Sequence, residues 1–146
     1  MNEKNNVFRV FVDSNVLISA MQSETSVSRK LLLLLSEEHQ LIICSYSIAE
    51  VSRILSKRFP NKLPEWDHFL TRLEFELAYT PSDISSFPAP YIRDDKDIPI
   101  LVSAILAEPD ILVTGDHDFY TPEIKEYFAV YTPIDFLRNF SNEVKH

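Results

Sequence analysis

Carboxylates recur at four places in this chain of 146 residues, with no cluster of His or Cys beside any of them. Asp13 stands in Asp13-Ser14-Asn15, and Glu50 closes Ser47-Ile48-Ala49-Glu50. Three aspartates crowd Arg93-Asp94-Asp95-Lys96-Asp97, and Asp116 and Asp118 share Thr114-Gly115-Asp116-His117-Asp118-Phe119. Oxygen donors without nitrogen or sulfur partners suit hard cations such as Mg²⁺ or Mn²⁺, which keep several waters and bind substrate phosphates, and they disfavour zinc. Cations held this way orient a water for in-line attack and stabilise the leaving oxygen of a phosphodiester. Hydrolysis at phosphorus is therefore the chemistry these residues point to.

Each stretch also has a plainer reading. Asp, Ser and Asn are all preferred helix caps, so Asp13-Ser14-Asn15 fits the start of a helix near Val16; that does not explain why Asp116 recurs at an equivalent strand end. Ser47 to Glu50 fits a capping box, in which the glutamate reaches back to the cap backbone. At 100° per residue, however, Glu50 points away from Ile48, Val51, Leu55 and Phe59 and shares a face with Arg53 and Lys57. That face is either solvated and ion-paired, or a carboxylate with two cations behind it placed to meet backbone phosphates. Among the three clustered aspartates, a helix dipole accounts for one. Repulsion makes all three costly unless water, a base or a cation offsets it. Asp97 is the first choice of ligand, Asp94 and Asp95 are alternatives, and Arg93 is the local counter-charge. Gly115 is the only glycine, which fits a turn needing a positive φ at the approach to Asp116. His117 reads as an exposed turn residue.

The elements that must position these groups alternate. Val7 to Val12 reads as a buried strand ending at Asp13. A helical stripe of Val27, Leu31, Leu34 and Leu35 follows, closed by Ser36-Glu37-Glu38. Leu41 to Cys44 is a second strand, and Ile48, Val51, Leu55 and Phe59 face inward from the next helix. Pro64-Glu65-Trp66 opens another helix, with Phe69, Leu70, Leu73 and Leu77 as its stripe. Pro81 to Pro90 is a loop. Ile98 to Ala107 reads as a helix, Ile111 to Thr114 as a strand, Ile124 to Tyr127 as a short helix, Ala129 to Tyr131 as a strand, and Pro133 to Phe140 as a terminal helix. This alternation predicts a three-layer α/β/α sandwich around a mostly parallel sheet, in one domain spanning 1–146. Ligands in such sheets bind beyond the carboxyl ends of the strands where strand order reverses, and Asp13 and Asp116 both fall on that edge.

Composition bounds the reading from another side. The hydrophobic content of 45% supports one core. A net charge of -8 and a pI near 4.9 argue against a nonspecific nucleic-acid coat. RNA would have to be held by local cations, for which Arg53, Lys57, Arg58, Arg93 and Lys96 are candidates. The single cysteine, Cys44, excludes an internal disulfide and reads as an inert core thiol. No apolar segment reaches the ~18 residues of a membrane span, and Met1 to Arg9 lacks the apolar region of a signal peptide. A soluble, cytoplasmic protein with no membrane partner is expected.

Taken together, Val10-Phe11-Val12-Asp13-Ser14-Asn15-Val16-Leu17, Ser47 to Glu50, Arg93-Asp94 with Asp97, and Val113 to Phe119 resemble the PIN domain, particularly the VapC-type toxins of prokaryotic toxin-antitoxin pairs. The resemblance runs nearly end to end and rests on the order and spacing of the four stretches. It implies a metal site of Asp13, Glu50, Asp97 and Asp116, with Asp118 as an outer or additional ligand and Ser14, Asn15 and Thr114 in support. It also implies a parallel-sheet α/β/α fold, Mg²⁺- or Mn²⁺-dependent endoribonuclease activity, homodimers or higher homo-oligomers, and inhibition by a small antitoxin protein. The competing reading is a PIN-fold interaction module that cuts nothing. A haloacid-dehalogenase-type phosphatase would need a second acid where the chain has Asn15. A receiver domain would need a lysine at a late strand end, and Ile111 to Asp116 has none.

Overall fold

The computed structural model describes residues 6–141. The first five residues of the Met1–Arg9 stretch and the last five of the expected 1–146 domain lie outside the described residues. Five strands form one sheet: β1 (Arg9–Val12), β2 (Gln40–Cys44), β3 (Glu76–Ala78), β4 (Ile111–Val113) and β5 (Ala129–Tyr131), in the order β3-β2-β1-β4-β5. Every pairing is parallel, so the expected mostly parallel sheet is wholly so. Each strand feeds the next through helix: α1 (Ser14–Gln22) and α2 (Val27–Glu38) after β1, α3 (Ser45–Arg58) and α4 (Leu63–Arg72) after β2, α5 (Ile98–Ala107) before β4, α6 (Pro122–Lys125) before β5, and α7 (Pro133–Phe140) last.

The pleat sorts the strand residues into two layers, as a period of two requires. Val10, Val12, Leu41, Ile43, Ile111 and Val113 pack on one face with residues of α1, α2, α3, α4 and α7. Phe11, Ile42, Cys44 and Leu112 pack on the other with α5, Phe119, Ile124 and Phe128. From β1 the chain winds outward through β2 to β3, then returns across the sheet through α5 to β4, on the opposite side of β1. Strand order therefore reverses between β1 and β4, and their carboxyl ends open the crevice where such sheets bind ligands.

Several sequence expectations shift. The first strand begins at Arg9, and Val7 before it is exposed. The inward stripe of α2 is Leu31, Leu32 and Leu35; Val27 is exposed and Leu34 only half-buried. Phe59 is the cap residue after α3 and is exposed rather than part of its apolar face. The largest change concerns Leu73 and Leu77, expected to continue a helix. Instead α4 stops at Arg72, Leu73 is extended with φ -88° and ψ 136°, and Leu77 lies in edge strand β3. Ser36 Oγ accepts the Glu74 N–H at 2.7 Å, and the residues that follow pair with Ile42, Ile43 and Cys44. Strand pairing along the β2 edge wins over continuation of the helix, burying Leu73 while Leu77 stays exposed on β3. Among the described residues, no helix is long and apolar enough to cross a membrane.

Candidate metal centre at the β1–β4 switch point

Asp13 leaves the end of β1 as a continuation of the ladder, its N–H donating to Val113 O at 3.0 Å. Asp13 is 3% exposed, and both its carboxylate oxygens are hydrogen-bonded. Oδ1 accepts the Ser14 N–H at 2.6 Å and Oδ2 accepts the Thr114 hydroxyl at 2.7 Å. The same Thr114 Oγ1 accepts the Asp116 N–H at 3.0 Å, and Asp116 Oδ1 accepts the Asp118 N–H at 2.9 Å. One threonine hydroxyl thus ties the carboxylate after β1 to the backbone of the carboxylate after β4. Asp13 is also the N-cap of α1, which starts at Ser14, so capping and the switch-point position belong to one side chain.

Behind Asp13 the support is polar and buried. Ser14 Oγ donates to Ser47 Oγ at 2.8 Å, and Ser47 Oγ lies 3.2 Å from Cys44 Sγ. The expected capping box does not form: α3 begins at Ser45, its cap residue is Cys44 with no side-chain cap bond, and Ser47 lies inside the first turn, fully buried. Glu50 is therefore not reaching back to a Ser47 cap; it lines the cavity that Asp13 enters. That cavity, about 180 Å³, is bounded by Asp13, Ser14, Asn15, Glu50, Asp97 and Asp116, with Ile18 and Ile100 as its apolar wall. Neither isoleucine, nor the buried role of Ser47, was singled out from sequence, because Ile18 and Ile100 look like any helix-face residue and Ser47 like a cap.

Asp97 arrives differently. A 3-10 turn, Asp95–Asp97, precedes α5, and Asp94 caps it by accepting the Lys96 N–H at 3.0 Å. Asp94 is thus occupied locally and Asp95 is exposed, leaving Asp97 as the member of the trio that lines the cavity. Pro99 sits in the first turn of α5, where its missing N–H costs nothing. Asp97 Oδ2 is buried without any hydrogen-bond partner among the described residues. A carboxylate oxygen from each of Asp97, Asp116 and Asp118 lies within 4.8 Å of the other two. Asp118 also accepts from Arg93 Nε at 3.0 Å, so Arg93 balances the loop after β4 rather than its own sequence neighbours. Arg53 and Lys57 are exposed on α3, and neither has an ion-pair partner among the described residues.

Charge crowding is visible in the acid strengths. Asp97 is pushed up to about 8 by burial, by hydrogen bonding to Asp116, and by the charges of Asp116, Asp13 and Asp94. Burial raises Asp13 to about 6 against the opposing bonds from Thr114 and Ser14, with Asp116 and Glu50 adding to the rise. Such a site favours a proton or a cation where like charges meet. An all-oxygen donor set with one orphaned buried oxygen fits a hard divalent cation.

Gly115 departs from expectation. Among the described residues no glycine has a positive φ, and a Cβ at Gly115 would meet nothing within 4 Å. The left-handed residue is Glu108, φ 53°, at the end of α5. Gly115 N–H donates to Asn15 Oδ1 at 3.5 Å, and nothing in the structure requires glycine there.

A sandwich of this topology with acids at its switch point is the architecture of a PIN domain. Residues 9–118 match the family model for the PIN domain, and the chain belongs to that family. Its fold is similar to that of a chain in VapBC2 from Rickettsia felis bound to a DNA fragment from its promoter, with a TM-score of 0.59, 18% identity, and 83% of this chain and 96% of that chain covered. It is similar also to a chain in DNA-bound VapBC from Salmonella typhimurium, with a TM-score of 0.62, 14% identity, and 87% and 99% coverage. No curated protein matches the chain.

Proposed function

We propose that the chain is a metal-dependent endoribonuclease that hydrolyses RNA phosphodiester bonds. The observation that carries this reading is the meeting of Asp13, Glu50, Asp97 and Asp116 around one cavity at the β1–β4 switch point, where Asp97 Oδ2 has no hydrogen-bond partner among the described residues. Asp97, Asp116 and Asp118 would hold the cation, with Asp13 and Glu50 completing an acidic ring. When bound, Mg²⁺ or Mn²⁺ would supply an activated water and charge neutralisation at the leaving oxygen. The rest falls to the chain itself. Ser14 and Thr114 hold both oxygens of Asp13 in place, and Thr114 keeps Asp116 in register with it. Asn15 braces the turn at Gly115. Arg53 and Lys57, on the same helix as Glu50, would meet the phosphates flanking the cut, and Arg93 would do so from beside Asp118.

The fold likeness to chains of VapBC complexes supports a further step, a toxin restrained by an antitoxin protein in the cytoplasm. The net charge of -8 favours a second reading, a PIN-fold module that binds a protein and cuts nothing. Incubating mixed RNA with purified protein, with Mg²⁺, Mn²⁺ or chelator, and with Asp13→Asn in parallel, separates the two. Metal-dependent cutting that the substitution removes is the expected result. Absence of cutting with either metal would turn the assignment to the binding module.

A further inference from the structure

Two of the chain's six tyrosines, Tyr46 and Tyr79, stand on the cavity's edge of the sheet, toward β2 and β3, and hold no part of the acidic ring. Continuing the register of β1 and β2 sets Asp13 level with Cys44, which pairs with Ala78 of β3. Tyr46 comes two residues past that level and Tyr79 one. Adjacent strands lie about 4.8 Å apart, so three neighbouring strand ends carry an acid, a phenol and a second phenol in order away from the cavity. The two phenol-bearing segments are tied together, Thr80 N–H donating to Ser45 Oγ at 2.9 Å and Tyr46 N–H to Thr80 Oγ1 at 3.2 Å. Ser103 Oγ lies 2.8 Å from that Thr80 oxygen and 2.7 Å from Pro99 O, which fixes both segments to the start of α5, beside Asp97. Tyr46 is half-buried and Tyr79 is 78% exposed. Among the described residues neither ring stacks on another aromatic.

We propose that Tyr46 and Tyr79 form a subsite for nucleobases, receiving the bases next to the bond that is cut. The inference rests on the reading of the cavity as an RNA-cutting site. At 100° per residue, Tyr46, Glu50, Arg53 and Lys57 fall within about 60° of one another around α3, in a single stripe. Burial pushes the Tyr46 phenol up, Glu50 and Asp97 add to the rise and Arg53 opposes it, so the phenol lies near two acids of the cavity. Cations with aromatic rings beside them are how proteins hold a single nucleic-acid strand: the cations follow the phosphates and the rings take the bases. A strand that follows Lys57 and Arg53 to Glu50 meets Tyr46 one turn further on, and Tyr79 beyond it. A protein docking here could cover the two rings, but it has no charge at every unit for Arg53 and Lys57 to meet. Bases reach such rings when they are splayed out of a duplex, so the RNA held here is unpaired beside the cut.

The test compares two probes in Mg²⁺ with Asp13→Asn, which keeps the RNA intact: a labelled oligoribonucleotide of random sequence, and an oligomer of the same length with ribose and phosphate but no bases. Fluorescence anisotropy is expected to show the first bound more tightly, by about 5–150-fold for each base stacked. Adding Tyr46→Ala or Tyr79→Ala should lower that ratio by about 5-fold or more. Affinity for the probe without bases should stay as it was, which a damaged fold would not allow. Tyr46→Phe, which keeps the ring, should keep the ratio. Equal binding of both probes by Asp13→Asn alone overturns the subsite and leaves the RNA reading in place, since phosphates are then all that is held. A ratio that either alanine variant leaves unchanged also overturns it, as does one that Tyr46→Phe lowers as far as Tyr46→Ala. Alanine variants that weaken both probes by the same factor reduce the two tyrosines to a structural role, and overturn it too. Binding of neither probe sinks the RNA reading itself, and the subsite falls with it.

Discussion

Asp13 and Asp97 bring the same side chain into one cavity by opposite means. Asp13 stands at the end of a central strand with both oxygens hydrogen-bonded. Asp97 comes off a 3-10 turn at the end of an irregular stretch, and one of its oxygens is buried with no hydrogen-bond partner among the described residues. The first is fixed by the fold whatever else is bound. The second is left with a demand that a proton or a cation can meet. A site built this way has its geometry set from one side and its affinity for positive charge from the other.

The largest expected effect removes charge from the fixed member. Asp13→Asn should lower cleavage by about 100-fold or more, beyond the 10–100-fold typical of losing a supporting partner of a metal ligand, while circular dichroism still reports the folded chain. Cutting at the wild-type rate would remove Asp13 from the site. Thr114→Val tests how the fixed side is held. It keeps the shape but deletes the hydroxyl that serves Asp13 and Asp116 at once. Cleavage should fall by about 10–100-fold, and chemical denaturation should show a loss of about 1–3 kcal/mol for the unpaired buried groups. A variant with unchanged activity would show that Asp13 is oriented without Thr114.

A pH series without metal contrasts the two acids directly. Both have folded values above those of the unfolded chain, Asp13 at about 6 and Asp97 at about 8. The folded state therefore binds more protons than the unfolded state across this range, and stability falls as pH rises. The contribution is complete below the carboxylates' ordinary values near 4 and is lost through pH 6 for Asp13 and through pH 8 for Asp97. In chelator, Tm should be higher at pH 6 than at pH 8, and Asp97→Asn should flatten the slope between those two values. Saturating Mg²⁺ should reduce the slope as well, because a cation replaces the proton. A Tm that climbs from pH 6 to pH 8 in chelator would show that Asp97 is not held against its neighbours.

The same contrast explains what the sequence could reveal. Asp13 and Asp116 were legible because each closely follows a short apolar run, Asp13 at once and Asp116 after Thr114-Gly115, and the fold places the ends of those strands together. Asp97 could be narrowed only to three neighbours, since spacing does not show that Asp94 turns inward to cap Lys96 N–H. The edge strand β3 was read as helix because Leu73 and Leu77 keep a four-residue spacing. Three residues at an edge leave no alternation to detect, and only their partner β2 defines them. The link through Thr114 depends on a residue 101 positions from Asp13, a contact no local pattern encodes.

Smaller effects belong to groups outside the acidic ring. Arg53→Ala should weaken RNA binding measured with the Asp13→Asn background, and reduce the slope of log K against log salt by about 1, as loss of one phosphate contact predicts. An unchanged slope would place this face of α3 in plain solvent.

The smallest expected effect concerns the single glycine. Gly115 has neither a left-handed backbone nor a neighbour that a Cβ would strike. Gly115→Ala should therefore be accepted by the folded chain and restrict only the unfolded one, raising stability by about 0.4–1 kcal/mol in denaturant titration. Cleavage should stay at the wild-type level, because the Gly115 N–H that meets Asn15 Oδ1 is retained. The outcome bears on how the two sides of the site differ. If alanine lowered cleavage while raising stability, the open space above the turn would belong to the substrate, and the fixed side would be shaped by what it admits as well as by the bonds that hold it. If alanine lowered stability instead, the backbone between Thr114 and Asp116 would be under a constraint that its dihedral angles do not display, and the rigidity ascribed to the Asp13 side would rest on that turn as much as on Thr114.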